Sequence, residues 1–338
     1  MIPEYHYRIH DDSIITPLFK KQVVTPLFRL VPWWIPANII TILSNLCMYI
    51  ALYLAISPLF RICSYPERGP RFVLIAILIL GYAIGDHFDG MQAKRTGTSS
   101  ALGEFCDHYL DIFNTGILLY IVCLLFHITS PALLAFFLVT AYLPHAAIFY
   151  EQFITKWLYF EKIGSLESVL ILSACIMVSA IEPVYRLALT SPAYGFTAAE
   201  ILFILTSSGT FITFAKAVRR ARITDVWFWV FCALLITVGC TAVISGLSSI
   251  AIFYIITAYS GLYIGNLQRG HLADGKKRFP DFAVPLLMGL PFIFAPLREP
   301  VFLLGICIYL VCRTLWIAGN SFLILRGFWV WKNPEQGR

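Results

Sequence analysis

Polar residues are scarce along most of this chain, and where they fall divides it. Apolar runs at about 37–58, 72–91, 104–128, 131–153, 168–182, 200–215, 226–244, 247–264, 281–297 and 300–325 are each long enough to cross, or nearly cross, a hydrocarbon core of roughly 30 Å. These ten runs predict an all-α polytopic membrane bundle of about ten transmembrane helices. Ahead of the first run, residues 12–32 (DSIITPLFKKQVVTPLFRLVP) mix apolar residues with Lys20, Lys21 and Arg29, the pattern of an amphipathic helix lying in the membrane interface. A cleavable leader is not expected, because the first crossing begins near residue 37 behind a charged start.

Composition agrees. The chain has 338 residues, of which 59% are hydrophobic and 13% charged, with mean hydropathy +0.77, which excludes an ordinary soluble globule. If the N-terminus is inside, nineteen Lys and Arg fall in the tail and inner loops and five outside, with Arg313 inside the last run. This bias supports ten spans with cytosolic termini. It divides the chain into a cytosolic N-terminus with the interfacial helix (1–36), a six-helix core (37–225), four further spans (226–325) and a cytosolic tail (326–338). Bacterial inner membrane and endoplasmic reticulum or Golgi are not distinguished. The nine cysteines lie mostly in apolar runs with no C-x-x-C pair and read as small core residues, neither a disulfide frame nor a zinc site. Arg219, Arg220 and Arg222 read as a topology signal, and the scattered interfacial charges do not suggest nucleic-acid binding.

The candidate chemistry sits between Asp86 and Asp111, where DHFDGMQAKRTGTSSALGEFCDHYLD holds four of the nine aspartates at the ends of two apolar runs. Asp86, Asp89, Gly90 and Ala93 share one helical face, and Gly103, Asp107 and Asp111 share a face of the next helix. Facing stripes would gather four carboxylates at membrane depth, where an isolated charge costs at least about 3 kcal/mol and is usually kept for function. Such a cluster has to bind cations.

In order and spacing these residues match D-x-x-D-G-x-x-A-R followed by G-x-x-x-D-x-x-x-D, and the chain resembles the CDP-alcohol phosphotransferase family. The stretch AKRTGTSSALGEFCDH is most similar to the choline and ethanolamine phosphotransferase branch, and Pro36 to Ile42 resembles the family segment that opens the first span. One position departs: Lys94 stands where the signature has Arg, with Arg95 next. Losing the bidentate fork at Lys94 shifts the expected phosphate contact to Arg95. More weakly, the segment from Glu151 to Glu167 also resembles that branch and puts Glu167 near the mouth of the site.

The resemblance implies transfer of phosphoethanolamine or phosphocholine from CDP-ethanolamine or CDP-choline to diacylglycerol, with release of CMP. Paired Mg²⁺ or Mn²⁺ ions suit such a transfer, because hard cations take carboxylate oxygens and neutralise diphosphate charge. Asp86, Asp89 and Asp107 are the expected ligands, with Asp111 at the edge of the cluster. Asp111 acts on the acceptor hydroxyl as general base or contributes to the second metal. His108 is the alternative base, or else holds a neighbouring Asp in place. Gly90, Ala93, Lys94, Arg95 and Gly103 border the CDP pocket, and Glu104 contacts cytidine or the metal shell. The resemblance also implies dimer contact through the last four spans. Ceramide as acceptor and an inositol-type head group remain open. An intramembrane prenyltransferase would need a second Asp-rich motif, where this chain has only Asp225, Asp274 and Asp281. A cation-coupled transporter would show repeated broken helices, and the window has no second copy.

Overall fold

The computed structural model describes residues 8–57, 65–162, 164–192, 195–294, 297 and 300–325. The expected tail (326–338), Cys63, Arg61 and Arg298 lie outside these. The described residues form twelve helices and one pair of three-residue strands, a polytopic helical membrane protein.

The N-terminal amphipathic helix is present as α1, three continuous turns over Thr16–Phe19, Lys20–Val24 and Thr25–Phe28. Pro26 has no N–H to offer, and the turn before it relaxes to π geometry, with Thr25 N bonding to Lys20 O. Phe19, Val24 and Phe28 face inward, while Leu18, Leu27 and Leu30 are exposed and suit an interfacial position. Ahead of it, β1 (Ile9–Asp11) pairs in parallel with β2 (Leu158–Phe160), Ile9 opposite Leu158.

The bundle follows as α2 (Ala37–Ile56), α3 (Tyr65–Thr96), α4 (Ala101–Leu125), α5 (Pro131–Thr155), α6 (Ser165–Val178), α7 (Glu182–Ala188), α8 (Ala198–Ala221), α9 (Val226–Ile244), α10 (Ser249–Arg269), α11 (Ala283–Ile293) and α12 (Pro300–Leu325). Among the described residues eight helices are long and apolar enough to cross a bilayer, or nine if α6 and α7 form one bent span. The difference from ten lies in the fifth and ninth runs. The fifth is α6, fourteen residues and about 21 Å long, which breaks and bends by 118° into α7. Ile181 is extended at the break, and Pro183 sits in the first turn of α7, where its missing N–H costs nothing. The ninth is α11, only eleven residues. The loop before it returns into the bundle, where Tyr259 at the middle of α10 donates to Asp281 O at 3.0 Å.

Close helix approaches set the site. An added Cβ on Gly85 of α3 would lie 2.6 Å from Ser44 Cβ on α2, so the two backbones nearly touch just before Asp86. On the other side, α10 packs against α4 through Gly261 on Phe113 and Gly265 on Tyr109. Gly116 returns the contact, with Thr257 Oγ1 2.3 Å from where its Cβ would be. These pairs run antiparallel along α4 and α10, so the ends of α10 and α3 and the start of α4 share one end of the bundle. α10 is the most buried of the candidate spans, and its contacts make it part of the core that surrounds α4.

The candidate metal centre

Asp86 on α3 and Asp107 and Asp111 on α4 each present a carboxylate oxygen, and the three lie within 4.8 Å of one another. They come together because the i, i+4 pair on α4 faces the last third of α3, where the α2–α3 approach leaves no room for bulk. Asp89 stands one turn beyond Asp86 and outside that trio. It is buried and accepts a 2.6 Å hydrogen bond from Thr41 Oγ1 of α2.

Neutral groups hold the cluster. Tyr82, one turn before Asp86, donates to Asp111 Oδ1 at 2.5 Å. Asn114 Nδ2 donates to Asn45 Oδ1 at 2.7 Å, and Asn45 Nδ2 donates to Thr41 O at 2.8 Å, which links α4 back to α2. None of Thr41, Asn45, Tyr82 and Asn114 was singled out from sequence. Their spacing carries the signal: Thr41 and Asn45 are i, i+4, and Asn114 extends the Asp107–Asp111 stripe.

No Lys or Arg among the described residues lies within ion-pair distance of Asp86, Asp89, Asp107 or Asp111. Among the described residues the side chain able to carry positive charge at that distance is His87, whose Nδ1 is 3.8 Å from Asp86 Oδ2. Lys20 is near enough to act electrostatically on Asp86 and His87, and Phe19 packs edge-on against the His87 ring at 5.7 Å. Like charges this close, with no cationic side chain between them, need a counter-ion. A set of hard oxygen donors fits a divalent cation of the Mg²⁺ or Mn²⁺ kind.

The remaining expected site residues divide. Gly90 is exposed with open space where a Cβ would be, and Ala93 is half-buried in the last turns of α3. Lys94 is exposed. Arg95 is committed elsewhere: it donates to Val31 O at 2.8 Å and lies 4.5 Å over the Phe28 ring. Gly103 N donates to the N-cap Ser100 Oγ. Glu104 is buried, accepts from Gln152 Nε2 at 2.9 Å and lies 3.9 Å from His108 Nδ1. His108 packs on Phe149 of α5 at 5.4 Å, about 100° around α4 from Asp107. Glu167 receives Ser13 Oγ, Ile15 N and Gly164 N, tying the start of α1 to α6. Of the later aspartates, Asp225 pairs with Lys277, Asp274 with Arg278 and Asp281 with Arg313. The described residues hold no second carboxylate cluster of this kind.

A polytopic helical fold with a carboxylate trio where α3 and α4 meet defines a membrane protein with a candidate cation site inside its bundle. The family model for CDP-alcohol phosphatidyltransferases matches residues 34–261, and the chain belongs to that family. The match runs into α10, consistent with its central packing. The chain is similar to cholinephosphotransferase 1 of Saccharomyces cerevisiae, 30% identical over 125 residues, covering 35% of this chain and 30% of that protein. It is similar to choline/ethanolaminephosphotransferase 1 of Arabidopsis thaliana, 32% identical over 107 residues, covering 32% and 27%. An uncharacterized class-I family protein of Dictyostelium discoideum is 34% identical over 118 residues, covering 33% and 27%. The aligned stretch is thus under a third of each of these three relatives.

Proposed function

We propose that this chain transfers phosphocholine or phosphoethanolamine from the CDP-alcohol to diacylglycerol and releases CMP. The convergence of Asp86, Asp107 and Asp111 within 4.8 Å carries this reading, and the names of the yeast and plant relatives support the head group. Asp86, Asp89 and Asp107, with Asp111 at the edge of the cluster, would hold two divalent ions, Mg²⁺ or Mn²⁺, which would supply charge neutralisation for the diphosphate.

The chain's own groups do the rest. The acceptor hydroxyl oxygen attacks the β-phosphorus, the bond to the bridging oxygen breaks, and CMP leaves with the electron pair. The hydroxyl proton passes to Asp111, whose other oxygen is fixed by Tyr82. His108 faces α5 and orients α4 beside Glu104, a placement that favours Asp111 as the base. Lys94 and Lys20 meet the diphosphate, because Arg95 is spent on α1. Gly90, Ala93 and Gly103 give the nucleotide room, and Glu104 lies behind it.

An apolar crevice of about 350 Å³ lies between α4 and α12, lined in part by Cys106 and Leu110, the residues next to Asp107 and Asp111 in the chain, and by Gly319. It supports lateral entry of the lipid acceptor. The active site faces the cytosol by the charge bias, and of the last four spans α9, α11 and α12 carry the dimer contact, α10 being buried in the core. Purified protein given CDP-choline or CDP-ethanolamine with diacylglycerol should release CMP, and CDP-inositol-type donors or ceramide should not substitute. No CMP from either amino-alcohol donor, with transfer to ceramide or from an inositol donor, would replace this assignment.

A further inference from the structure

Three arginines meet near the end of α10, and two have acids. Arg278 Nη2 is 2.6 Å from Asp274 Oδ2, and Arg313 Nε is 3.6 Å from Asp281 Oδ2. Arg269 has no carboxylate within ion-pair distance among the described residues. It is 4% exposed, and its Nε and Nη1 are buried without a hydrogen-bond acceptor. Its guanidinium lies 4.9 Å over the Trp316 ring, with Arg313 5.2 Å from the same ring. Asp281 is not free to serve it, since it already accepts from Tyr309 Oη, Ala283 N and Val284 N. A guanidinium buried with unpaired N–H groups is costly and calls for an anion.

We propose that Arg269 binds the phosphate group of an anionic membrane phospholipid between α10 and α12, beside the Trp316 ring. Its unpaired Nε–H and Nη1–H lie on different edges of the planar guanidinium, and each can donate a charge-assisted hydrogen bond to a phosphate oxygen. The depth is right. Gly265, one turn earlier, packs on Tyr109 of α4, so Arg269 sits at the end of the bundle where α4 begins, the level of a head group. The flank faces lipid: Trp316 is 48% exposed, and Leu323, 68% exposed, lies on the same side of α12 by helical geometry. A half-exposed Trp beside Arg is the side-chain pairing found at membrane interfaces. By helical geometry Trp316 and Arg313 lie on the flank of α12 opposite Ala318 and Phe322, which line the crevice toward α4. The site is therefore separate from the acceptor route and does not depend on the transferase assignment.

The test is lipid retention by delipidated full-length protein in detergent, read by native mass spectrometry. The probes are phosphatidylglycerol, diacylglycerol with the same acyl chains, and inorganic phosphate. Wild type should hold one phosphatidylglycerol, Arg269→Gln should bind it about tenfold more weakly, and Arg219→Gln, a distant exposed arginine, should match wild type. Equal retention by Arg269→Gln, or equal binding of diacylglycerol, overturns the proposal. Displacement of the lipid by millimolar inorganic phosphate overturns it in favour of a soluble-anion site. Should Arg269→Gln not be recovered folded, the lipid-facing variant Trp316→Leu takes its place, with severalfold weaker phosphatidylglycerol binding expected and unchanged binding counting against the site.

Discussion

Arg95, at the end of α3, lies 4.5 Å over Phe28 and donates to Val31 O at 2.8 Å, which fastens the end of α1 to the helix that carries Asp86. Gln92 one turn earlier is fully buried and donates to the carbonyls of Pro32, Trp33 and Ile35. The basic residue to which the expected phosphate contact shifts thus fixes a helix, and that helix brings Lys20 toward Asp86 and His87.

Two substitutions separate these roles. Arg95→Ala removes a cation–π contact and a hydrogen bond, together about 1–2 kcal/mol, and should speed amide exchange across residues 16–28. Lys20→Gln should leave that exchange unchanged and raise KM for the CDP-alcohol about three- to tenfold, with a smaller change in kcat. If Arg95→Ala raises KM with normal exchange, Arg95 touches the substrate directly.

The α2–α3 contact predicts a steric effect. Gly85→Ala would put a methyl 2.6 Å from Ser44 Cβ, and overpacking of this kind costs about 1–3 kcal/mol. Thermal unfolding in detergent should show a lowered midpoint, with activity falling as Asp86 is displaced. Ser44→Gly should restore most of both in the double variant. Failure of that rescue would place the strain elsewhere.

The aspartate window was legible because charge in an apolar run is too costly to be incidental, and its spacing foretold that Asp86, Asp107 and Asp111 would face one another. Their support was not, because Thr41, Asn45, Tyr82 and Asn114 are neutral and blend into a membrane helix. The runs at 168–182 and 281–297 form a bent helix pair and a short helix for a physical reason. Hydropathy registers apolar length, whereas the break before Glu182 and Pro183, and the return of Asp281 to the depth of Tyr259, depend on local backbone and on a tertiary hydrogen bond. The β1–β2 pairing joins segments far apart in the chain, and no local pattern announces it.

Glu161 gives a pH dependence at the edge of the bundle. Burial raises its carboxyl, but hydrogen bonds from Arg220 and Lys216 outweigh that and hold it below its ordinary value of 4.5. A carboxyl depressed by folding contributes stability above its unfolded value, and loses it as pH falls through the folded one. Glu161→Gln should therefore lower the unfolding midpoint at pH 7, and the gap from wild type should close as pH falls through the lowered carboxyl value. A gap that persists at low pH would assign the effect to packing.

Metal removal tests the cluster itself. Chelation should abolish CMP release and Mg²⁺ or Mn²⁺ should restore it, with each of Asp86→Ala, Asp89→Ala and Asp107→Ala lowering turnover by at least about a hundredfold in a folded protein. Thr41→Val should act more mildly, because it removes only the hydrogen bond that orients Asp89. Full activity after exhaustive chelation would remove the cations from the reaction.

Asp111 and His108 make different predictions for the proton. Asp111 is in the carboxylate trio with one oxygen taken by Tyr82, whereas His108 is buried against Phe149 and near Glu104. If Asp111 takes the hydroxyl proton, Asp111→Asn keeps the shape and the Tyr82 contact. Donor and metal binding should then stay near wild type while transfer to diacylglycerol falls by about two to four orders of magnitude. His108→Ala should cost less in turnover and more in thermal stability, since it vacates a packed site between α4 and α5. Loss of metal binding in Asp111→Asn would make that residue a ligand first. A larger fall in turnover for His108→Ala at unchanged donor affinity would move the base to the histidine, and would require its ring to turn from α5 toward the carboxylates when substrate binds.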